Sequence, residues 1–273
     1  MTKHLADDLI RLACKVMNCL VVAFLLAPIL VTALMAFDAR DYLGPLPPPG
    51  FSLRWFSAFF SDSYFLHGLA TSVELALSTT AISLFVGVAT AYALDRAQFR
   101  GKEQLVSFFL SPLVVPPVVI GFALLLFLSQ VGVVNGFARL LCGHVIITVP
   151  YTIRATLASM SQIDRSYTEA ALVLGATERR AFWGVTLPLA RAGILSGAIF
   201  AFAVSMDDVA VSIMLTDAHT YTLPIALISS MRANFDLTIA AASLMLMGLT
   251  VVLILILEKF VGLNRAIGEG AFR

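Results

Sequence analysis

Long runs of apolar residues alternate with short polar segments along almost the whole chain. A helix needs about 20 mostly apolar residues to cross a bilayer, where its backbone hydrogen bonds must be satisfied internally. The pattern therefore predicts an all-α membrane protein with six transmembrane helices. The predicted spans are residues 16–37, 69–94, 105–128, 140–160, 193–215 and 238–257.

The composition agrees with a membrane location. Charged residues make up 13% of the chain, whereas they make up about a quarter of a soluble domain. The basic residues lie in separate short loops and form no stripe that would bind nucleic acid. Cys14, Cys19 and Cys142 lack the spacing of metal or redox motifs, so we expect no metal site.

The first apolar run follows Lys3, Arg11 and Lys15, a pattern that also begins signal peptides. The run is longer than the roughly 7–15 apolar residues of a signal peptide, and no small-residue cleavage site follows it. We therefore expect a retained transmembrane helix. The expected organisation is a cytoplasmic segment 1–15, a transmembrane domain 16–258 and a cytoplasmic tail 259–273.

Basic residues indicate the orientation, because cytoplasmic loops carry an excess of Lys and Arg. With the N-terminus inside, the outer side holds Arg40, Arg54, Arg139 and Arg232, and Arg154 lies within a span. Both termini are therefore predicted to be cytoplasmic. The inner side holds the remaining basic residues: Lys3, Arg11, Lys15, Arg96, Arg100, Lys102, Arg165, Arg179, Arg180, Arg191, Lys259, Arg265 and Arg273.

The first outer loop, residues 38–68, divides into a proline-rich part and an aromatic part. The prolines predict an extended strap, and the aromatic residues predict an amphipathic helix at the level of the lipid headgroups. The residues concerned are Pro45, Pro47, Pro48, Pro49, Phe51, Trp55, Phe56, Phe59 and Phe60.

The inner loop, residues 161–192, is long, and its residues predict a helical hairpin. Ser166 and Glu169 form a capping-box pattern, which predicts a helix that begins near Tyr167. Gly175 can adopt the left-handed conformation that ends many helices. The first arm of the hairpin should therefore end at this glycine.

The second arm of the hairpin should begin at Thr177, whose hydroxyl can cap a helix. Leu187-Pro188 is predicted to end this arm before the next span. Phe182 and Trp183 are expected to be exposed and to fill a pocket of another protein. The alternative is a surface loop that lies on the membrane.

A motif in the hairpin combines Glu169-Ala170-Ala171, three residues, Gly175, nine residues and Val185-Thr186-Leu187-Pro188. It resembles the EAA signature of binding-protein-dependent ABC importer permeases, the MetI-like family. The family pattern has isoleucine at the position of Val185. The resemblance covers residues 169–188 closely and the six-span architecture more loosely.

The resemblance implies a permease subunit of an ATP-driven importer in a bacterial inner membrane. Its partners would be a cytoplasmic ABC ATPase dimer, a second homologous permease subunit and an extracytoplasmic solute-binding protein. The chain contains no GxxxxGK[S/T] phosphate loop. It would therefore bind no cofactor and catalyse no reaction itself, and ATP and Mg²⁺ would bind to the partner ATPase.

The resemblance also implies that the hairpin is a coupling helix inserted into a groove of the ATPase. Glu169 would be the charged anchor, Gly175 the turn and Leu187-Pro188 the rigid exit. The other implied coupling residues are Ala170, Ala171, Leu174 and Phe182.

Three carboxylates fall inside predicted spans, where ionisable residues are costly and usually face a cavity or a partner. Glu74, Asp207 and Asp208 lie at comparable depths and would line one outer vestibule that attracts a cationic solute. The alternative is structural, with the acids bonded to neighbouring groups. The candidate partners are Ser205, Ser212, Thr71 and Arg154.

Two stretches resemble spermidine/putrescine-type permease subunits. One is Ser205-Met206-Asp207-Asp208-Val209 followed by Thr222-Leu223-Pro224, and the other is residues 113–121. The resemblance implies a small cationic amino solute such as a polyamine. The same group includes transporters of phosphonates, opines and other amino compounds, which remain the alternative.

The third predicted span contains Pro112, Pro116 and Pro117, with Gly121 close by. These residues predict a kinked helix, and Pro116 and Pro117 would serve as the bend of a gate. The histidines fall near the outer ends of spans without ligand spacing, so polar contacts are expected rather than metal binding. They are His67, His144 and His219.

Two other classes of protein fit a polytopic chain less well. A secondary transporter driven by an ion gradient would predict inverted repeats and broken half-helices, which the sequence does not reveal. An intramembrane enzyme would need clustered catalytic groups. Asp207 and Asp208 are adjacent, and neighbouring residues of a helix point about 100° apart, which suits one acid–base site poorly.

Overall fold

The computed structural model describes residues 2–233 and 236–261. Within those ranges the chain forms helices, with one isolated β-bridge between Asp38 and Phe51. The predicted all-α fold is confirmed. The helices are α1 (Thr2–Ala36), α2 (Arg54–Ser61), α3 (Ser63–Arg96), α4 (Lys102–Leu110), a 3₁₀ turn (Ser111–Leu113), α5 (Pro117–Gln130), α6 (Gly136–Met160), α7 (Arg165–Val173), α8 (Glu178–Ala181), a π-helical turn (Phe182–Thr186), α9 (Leu187–Leu189), α10 (Arg191–Asp207), α11 (Ser212–Leu215), α12 (Leu223–Ala233) and α13 (Thr238–Val261).

Four helices are individually long and apolar enough to cross a membrane: Asp8–Ala36, Ser63–Arg96, Gly136–Met160 and Thr238–Ile256. Two bent pairs pass the same test, Lys102–Leu113 with Pro117–Gln130 and Glu178–Leu189 with Arg191–Asp207. The six predicted spans fall on these four helices, on the first bent pair, and on the Arg191–Asp207 part of the second.

The third predicted span, residues 105–128, is bent by 96° between Leu113 and Pro117. Pro116 has extended backbone angles, and Pro117 begins α5, where a missing N–H costs no helical hydrogen bond. The two prolines therefore end one helix and begin the next. Their role in a gate stays a prediction.

The fifth predicted span, residues 193–215, is wrong as a continuous helix. Helix α10 ends at Asp207, and helical structure resumes at Ser212. Residues 208–211 form a non-helical connection, which we call the α10–α11 break. At 1.5 Å per residue, α10 is about 25 Å long, slightly less than the hydrocarbon core of a bilayer. The acidic pair therefore lies at a helix end.

The N-terminal residues also differ from the expectation. Helix α1 begins at Thr2, so most of the predicted segment 1–15 is helical and continuous with the first span. Its apolar side chains from Leu9 onwards are largely exposed, as lipid contact requires. Residues 262–273, most of the predicted tail, lie outside the described residues.

The chain separates into two compact units, of which the first comprises Met1–Phe65 and Leu227–Met247. Its core contains Ala36, Trp55, Leu237 and Ala241. Helix α2 lies where the sequence predicts an amphipathic interfacial helix, and it buries Trp55. The Trp55 ring N–H donates to the carbonyl oxygen of Asp38 at 2.8 Å and so attaches α2 to the end of α1.

The second unit comprises Leu66–Ala226 and Gly248–Arg273. Within it, α6 packs on α10 through glycines, because small residues let two backbones approach closely. A Cβ atom at Gly197 would lie 3.0 Å from the Cα of Thr152. On its other side α6 bonds to α3, where the Thr152 hydroxyl donates to the carbonyl oxygen of Ser83 at 2.8 Å.

We expect Gly193→Val to destabilise the protein, because its Cβ would overlap the carbonyl oxygen of Ala155 and the Cβ of Ser159. Overpacking of this kind costs about 1–3 kcal/mol, which thermal unfolding of the purified protein in detergent would measure. The matched control is Gly248→Val, since a Cβ there meets no atom within 4 Å. Equal unfolding temperatures for both variants would contradict close α6–α10 packing.

Candidate functional site

The hairpin of the inner loop begins with helix α7, whose cap differs from the predicted one. Asp164, not Ser166, is the capping residue, and its carboxylate accepts a hydrogen bond from the Ser166 backbone N–H at 2.9 Å. This bond lowers the pKa of Asp164. The predicted helix exists but begins two residues earlier than the capping-box pattern indicates.

The turn of the hairpin contains Gly175, which has φ of +88°. That angle lies in the left-handed region, where a residue with a Cβ is strained. The Gly175 and Ala176 N–H groups bond to the carbonyl oxygens of Leu172 and Ala171, which closes the end of α7. The turn therefore needs glycine for its backbone angle, since a Cβ there would meet open space.

The second arm runs from Glu178 to Leu189 without interruption. Thr177 caps it as predicted, and its hydroxyl accepts from the Arg180 N–H at 3.4 Å. Leu187-Pro188 does not end the arm, and the chain bends by 69° only after Leu189. A π-helical turn precedes Leu187, whose N–H bonds to the carbonyl oxygen of Phe182, and this wider turn accommodates Pro188 within the arm.

One face of the hairpin is attached to the spans. Phe182, predicted to be exposed, is half-buried, and its ring centroid lies 4.5 Å from that of Tyr92 on α3. It also packs against the buried cluster of Ala91, Met160 and Ala190. The Phe182 side chain therefore connects the hairpin with α3 and α6.

The opposite end of the hairpin is apolar and exposed. Val173 and Leu174, which lie at the turn, are 88% and 87% exposed, and Trp183 is 60% exposed. Glu169 and Ala170 are also exposed, whereas Ala171 is half-buried. An apolar end that is this accessible, on a hairpin anchored at its other side, is suited to insertion into a partner.

The predicted pathway acids differ in their surroundings. Asp207 is exposed, has no hydrogen bond in the described part of the chain, and borders a shallow depression beside Val204 and Val209. Glu74 is also exposed on α3, next to Leu75 of the buried cluster that includes Val211. This cluster brings α3 close to the α10–α11 break, but among the described residues no contact joins Glu74 and Asp207.

Asp208 occupies a structural position instead. Its carboxylate accepts hydrogen bonds from the N–H groups of Val211 and Ser212 at 3.1 and 2.8 Å, and from the Ser212 hydroxyl at 3.0 Å. Ser212 was among the partners that the structural alternative names. Asp208 thus caps α11 and satisfies backbone groups that the α10–α11 break leaves without helical partners.

His144 makes polar contacts, as the sequence predicts, but it makes them in the protein interior. The residue is fully buried on α6, and its ring lies between the hydroxyls of Ser205 and Ser212 at 2.8 and 2.9 Å. Sequence spacing gave no sign of this, because the three residues come from three different helices. Among the described residues, no group of three His, Cys, Asp or Glu side chains is placed to hold a metal.

Residues 82–262 match the model of a family described as "Binding-protein-dependent transport system inner membrane component". The match includes the hairpin, the α10–α11 break and most of the packed helices. The chain belongs to this family. It is therefore a membrane permease subunit of a binding-protein-dependent ABC importer, a transport component rather than an enzyme.

Curated relatives of the permease extend over most of its length. The spermidine/putrescine transport system permease protein PotC of Haemophilus influenzae is 29% identical over 86% of this chain and 91% of its own. The putrescine transport system permease protein PotI of Escherichia coli is 28% identical over 82% of each chain. The resemblance to spermidine/putrescine-type subunits is confirmed.

A solved structure confirms the fold of the permease. A bacterial ABC transporter involved in the import of the acidic polysaccharide alginate has a chain that matches with a TM-score of 0.75. The match covers 95% of this chain and 97% of that one, at 15% sequence identity. At that identity the similarity concerns the fold alone.

We expect Asp208→Ala to lower the stability of the permease, because α11 would lose its cap. Loss of a cap typically costs about 0.5–2 kcal/mol, and thermal unfolding of the purified permease in detergent would measure it. Asp207→Ala is the control, since the neighbouring carboxylate is exposed and unbonded. If the control loses as much stability as Asp208→Ala, the assignment of separate roles to the two acids is wrong.

Proposed function

We propose that this permease imports a small cationic amino solute of the polyamine type and that its hairpin, residues 161–192, couples transport to a cytoplasmic ATPase. The observation that carries the coupling role is the hairpin itself, with an exposed apolar end at Val173 and Leu174 and a base anchored on α3 and α6. The names of the curated relatives and the exposed Asp207 support the solute class.

The coupling role follows from how the two sides of the hairpin are held. Phe182 packs on Tyr92, and the Arg165 guanidinium donates to the carbonyl oxygen of Asp95 at 3.2 Å, so the base contacts the end of α3 directly. A partner that moves the exposed end would therefore pull on α3 and α6. Glu169 stays our predicted charged anchor, and we take the bend after Leu189, rather than Leu187-Pro188, as the exit of the hairpin.

The orientation and the partners belong to the same proposal. The hairpin contacts the end of α3 that carries Arg96 in its last turn, and basic residues favour the cytoplasmic side. Both termini would then be cytoplasmic. An ATPase dimer would bind below, a second homologous permease subunit would complete the pathway, and an extracytoplasmic binding protein would deliver the solute.

A cationic solute suits the end of α10. The C-terminal end of a helix carries a partial negative charge, and Asp207 adds a full one there. The partial charge of the helix end and the Asp207 carboxylate would both attract an ammonium group. The alginate transporter, whose solute is an acidic polysaccharide, has the same fold, so the fold leaves the sign of the solute charge open. Aminophosphonates, opines and other amino compounds remain the alternative solutes.

We expect Gly175→Val to abolish coupling, because a β-branched residue rarely adopts a positive φ. In proteoliposomes that contain the full importer, solute uptake and the ATPase activity stimulated by the loaded binding protein should both fall at least about tenfold. The control is Gly184→Val in the same hairpin, where a Cβ also meets open space but the backbone is helical. Normal coupled uptake by Gly175→Val would remove the coupling assignment.

We expect Asp207→Asn to raise the KM for radiolabelled spermidine by about tenfold, because the mutation removes the unpaired charge at the end of α10. The amount of assembled importer should not change. Asp62→Asn is the control, since Asp62 is an exposed acid at the start of α3 and asparagine can also cap a helix. Uptake inhibited by 2-aminoethylphosphonate but not by spermidine would assign the solute to the alternative class.

A further inference from the structure

His144 is the centre of a hydrogen-bond network buried among α6, α10 and α11. Its Nδ1 atom lies 2.8 Å from the Ser205 hydroxyl in the last turn of α10, and its Nε2 atom lies 2.9 Å from the hydroxyl of Ser212, the first residue of α11. One ring therefore bonds to both sides of the α10–α11 break. The known role of a permease subunit assigns nothing to this residue.

The direction of each hydrogen bond follows from counting donors. The Ser212 hydroxyl donates to the Asp208 carboxylate, so it must accept from His144 Nε2–H. Burial favours the neutral ring, which then has only an acceptor at Nδ1, and the Ser205 hydroxyl donates to it. The result is one directed chain of bonds from Ser205 through His144 and Ser212 to Asp208.

The arrangement of this network excludes a catalytic role of the kind found in hydrolases. Serine, histidine and a carboxylate also occur in hydrolases, but a nucleophilic serine must reach its substrate, and Ser205 and Ser212 are 2% and 0% exposed. Both ring nitrogens of His144 are occupied by serines, so neither is free to act as a base. The network therefore holds structure together.

The main chain on both sides of His144 is fixed as well. A Cβ at Gly143 would overlap the side chains of Val211 and Leu215, so α6 and α11 are in close contact there. The Thr148 hydroxyl donates to the carbonyl oxygen of His144 at 2.7 Å and lies 2.7 Å from the Ser83 hydroxyl of α3. The ring thus projects from a part of α6 that three neighbouring helices hold in place.

We propose that His144 is a positioning residue for solute transport, which fixes the α10–α11 break and thereby sets where Asp207 lies. The Asp208 carboxylate and the Ile213 N–H, which bonds to the Val209 carbonyl oxygen, hold the α11 side of the break. The His144 ring adds the side-chain link from that side to Ser205 of α10. Asp207 lies beside this break and Val209 lies within it. Both residues border the same depression. The part that concerns transport rests on the proposed cation pathway.

The test compares His144→Leu with His144→Gln in the full importer in proteoliposomes. Leucine removes both bonds, whereas the glutamine amide retains one donor and one acceptor. Two readouts are used: the KM for radiolabelled spermidine, and the labelling rate of Val209→Cys with a polar maleimide, in a chain whose Cys14, Cys19 and Cys142 are replaced by alanine. Thr156→Val is the control, because Thr156 is buried on the same helix and its hydroxyl has no hydrogen-bond partner among the described residues.

We expect His144→Leu to raise both the labelling rate and the KM several-fold, with His144→Gln intermediate and the control unchanged. If His144→Leu fails to assemble, Ser212→Ala, which removes the two bonds of the Ser212 hydroxyl to His144 and Asp208, should give the same two changes. Unchanged labelling in His144→Leu and Ser212→Ala would overturn the positioning role. Raised labelling with an unchanged KM would uphold that role and refute Asp207 as a pathway residue.

Discussion

Every interruption of a helix within a bilayer must satisfy its own backbone polar groups, since no water is present to do so. In this permease two spans are interrupted, and each meets the constraint differently. At the α10–α11 break, the Asp208 carboxylate takes up the N–H groups of Val211 and Ser212. Before α5, the N–H groups of Val114 and Val115 bond back to the Ser111 carbonyl oxygen, and Pro116 has no N–H to satisfy.

The regular spans around these interruptions are joined by small residues and hydroxyls. Gly193 and Gly197 bring α10 against α6, while Thr148 and Thr152 bond α6 to Ser83 of α3. The hairpin contacts the ends of α3 and α6. Movement at the hairpin would therefore reach the helices that border the α10–α11 break. This packing connects the hairpin with the break, the two parts of the permease that the proposed function requires.

Hydropathy predicts the six spans because a bilayer demands length and apolarity, and both are visible in a single sequence. Gly175 and Thr177 are also predictable, since their conformations depend on near neighbours along the chain. The α10–α11 break is not, because Val209, Ala210 and Val211 continue the apolar pattern through it. The burial of His144 is not predictable for a related reason, since its partners Ser205 and Ser212 are more than 60 residues away in sequence.

The cap of α7 and the burial of Phe182 are two local features that the sequence leaves undecided. Asp164 and Ser166 are both good capping residues two positions apart, so sequence alone leaves the start of the helix ambiguous. Phe182 and Trp183 are adjacent aromatic residues of similar character, and packing on Tyr92 and on the cluster of Ala91, Met160 and Ala190 decides which one is buried. Packing against a distant helix, rather than composition, separates the anchoring side chain from the exposed one.

The π-helical turn at Phe182–Thr186 has a further geometric effect. A π turn holds about one residue more than an α turn, and one residue corresponds to about 100° of rotation around the axis. The extra residue therefore rotates the side chains after Thr186 about the helix axis relative to those of Glu178–Ala181. Deleting one residue of the turn would keep the other residues of the arm but rotate its second half about the helix axis relative to the first. The length of the turn therefore sets the relative directions of the two halves.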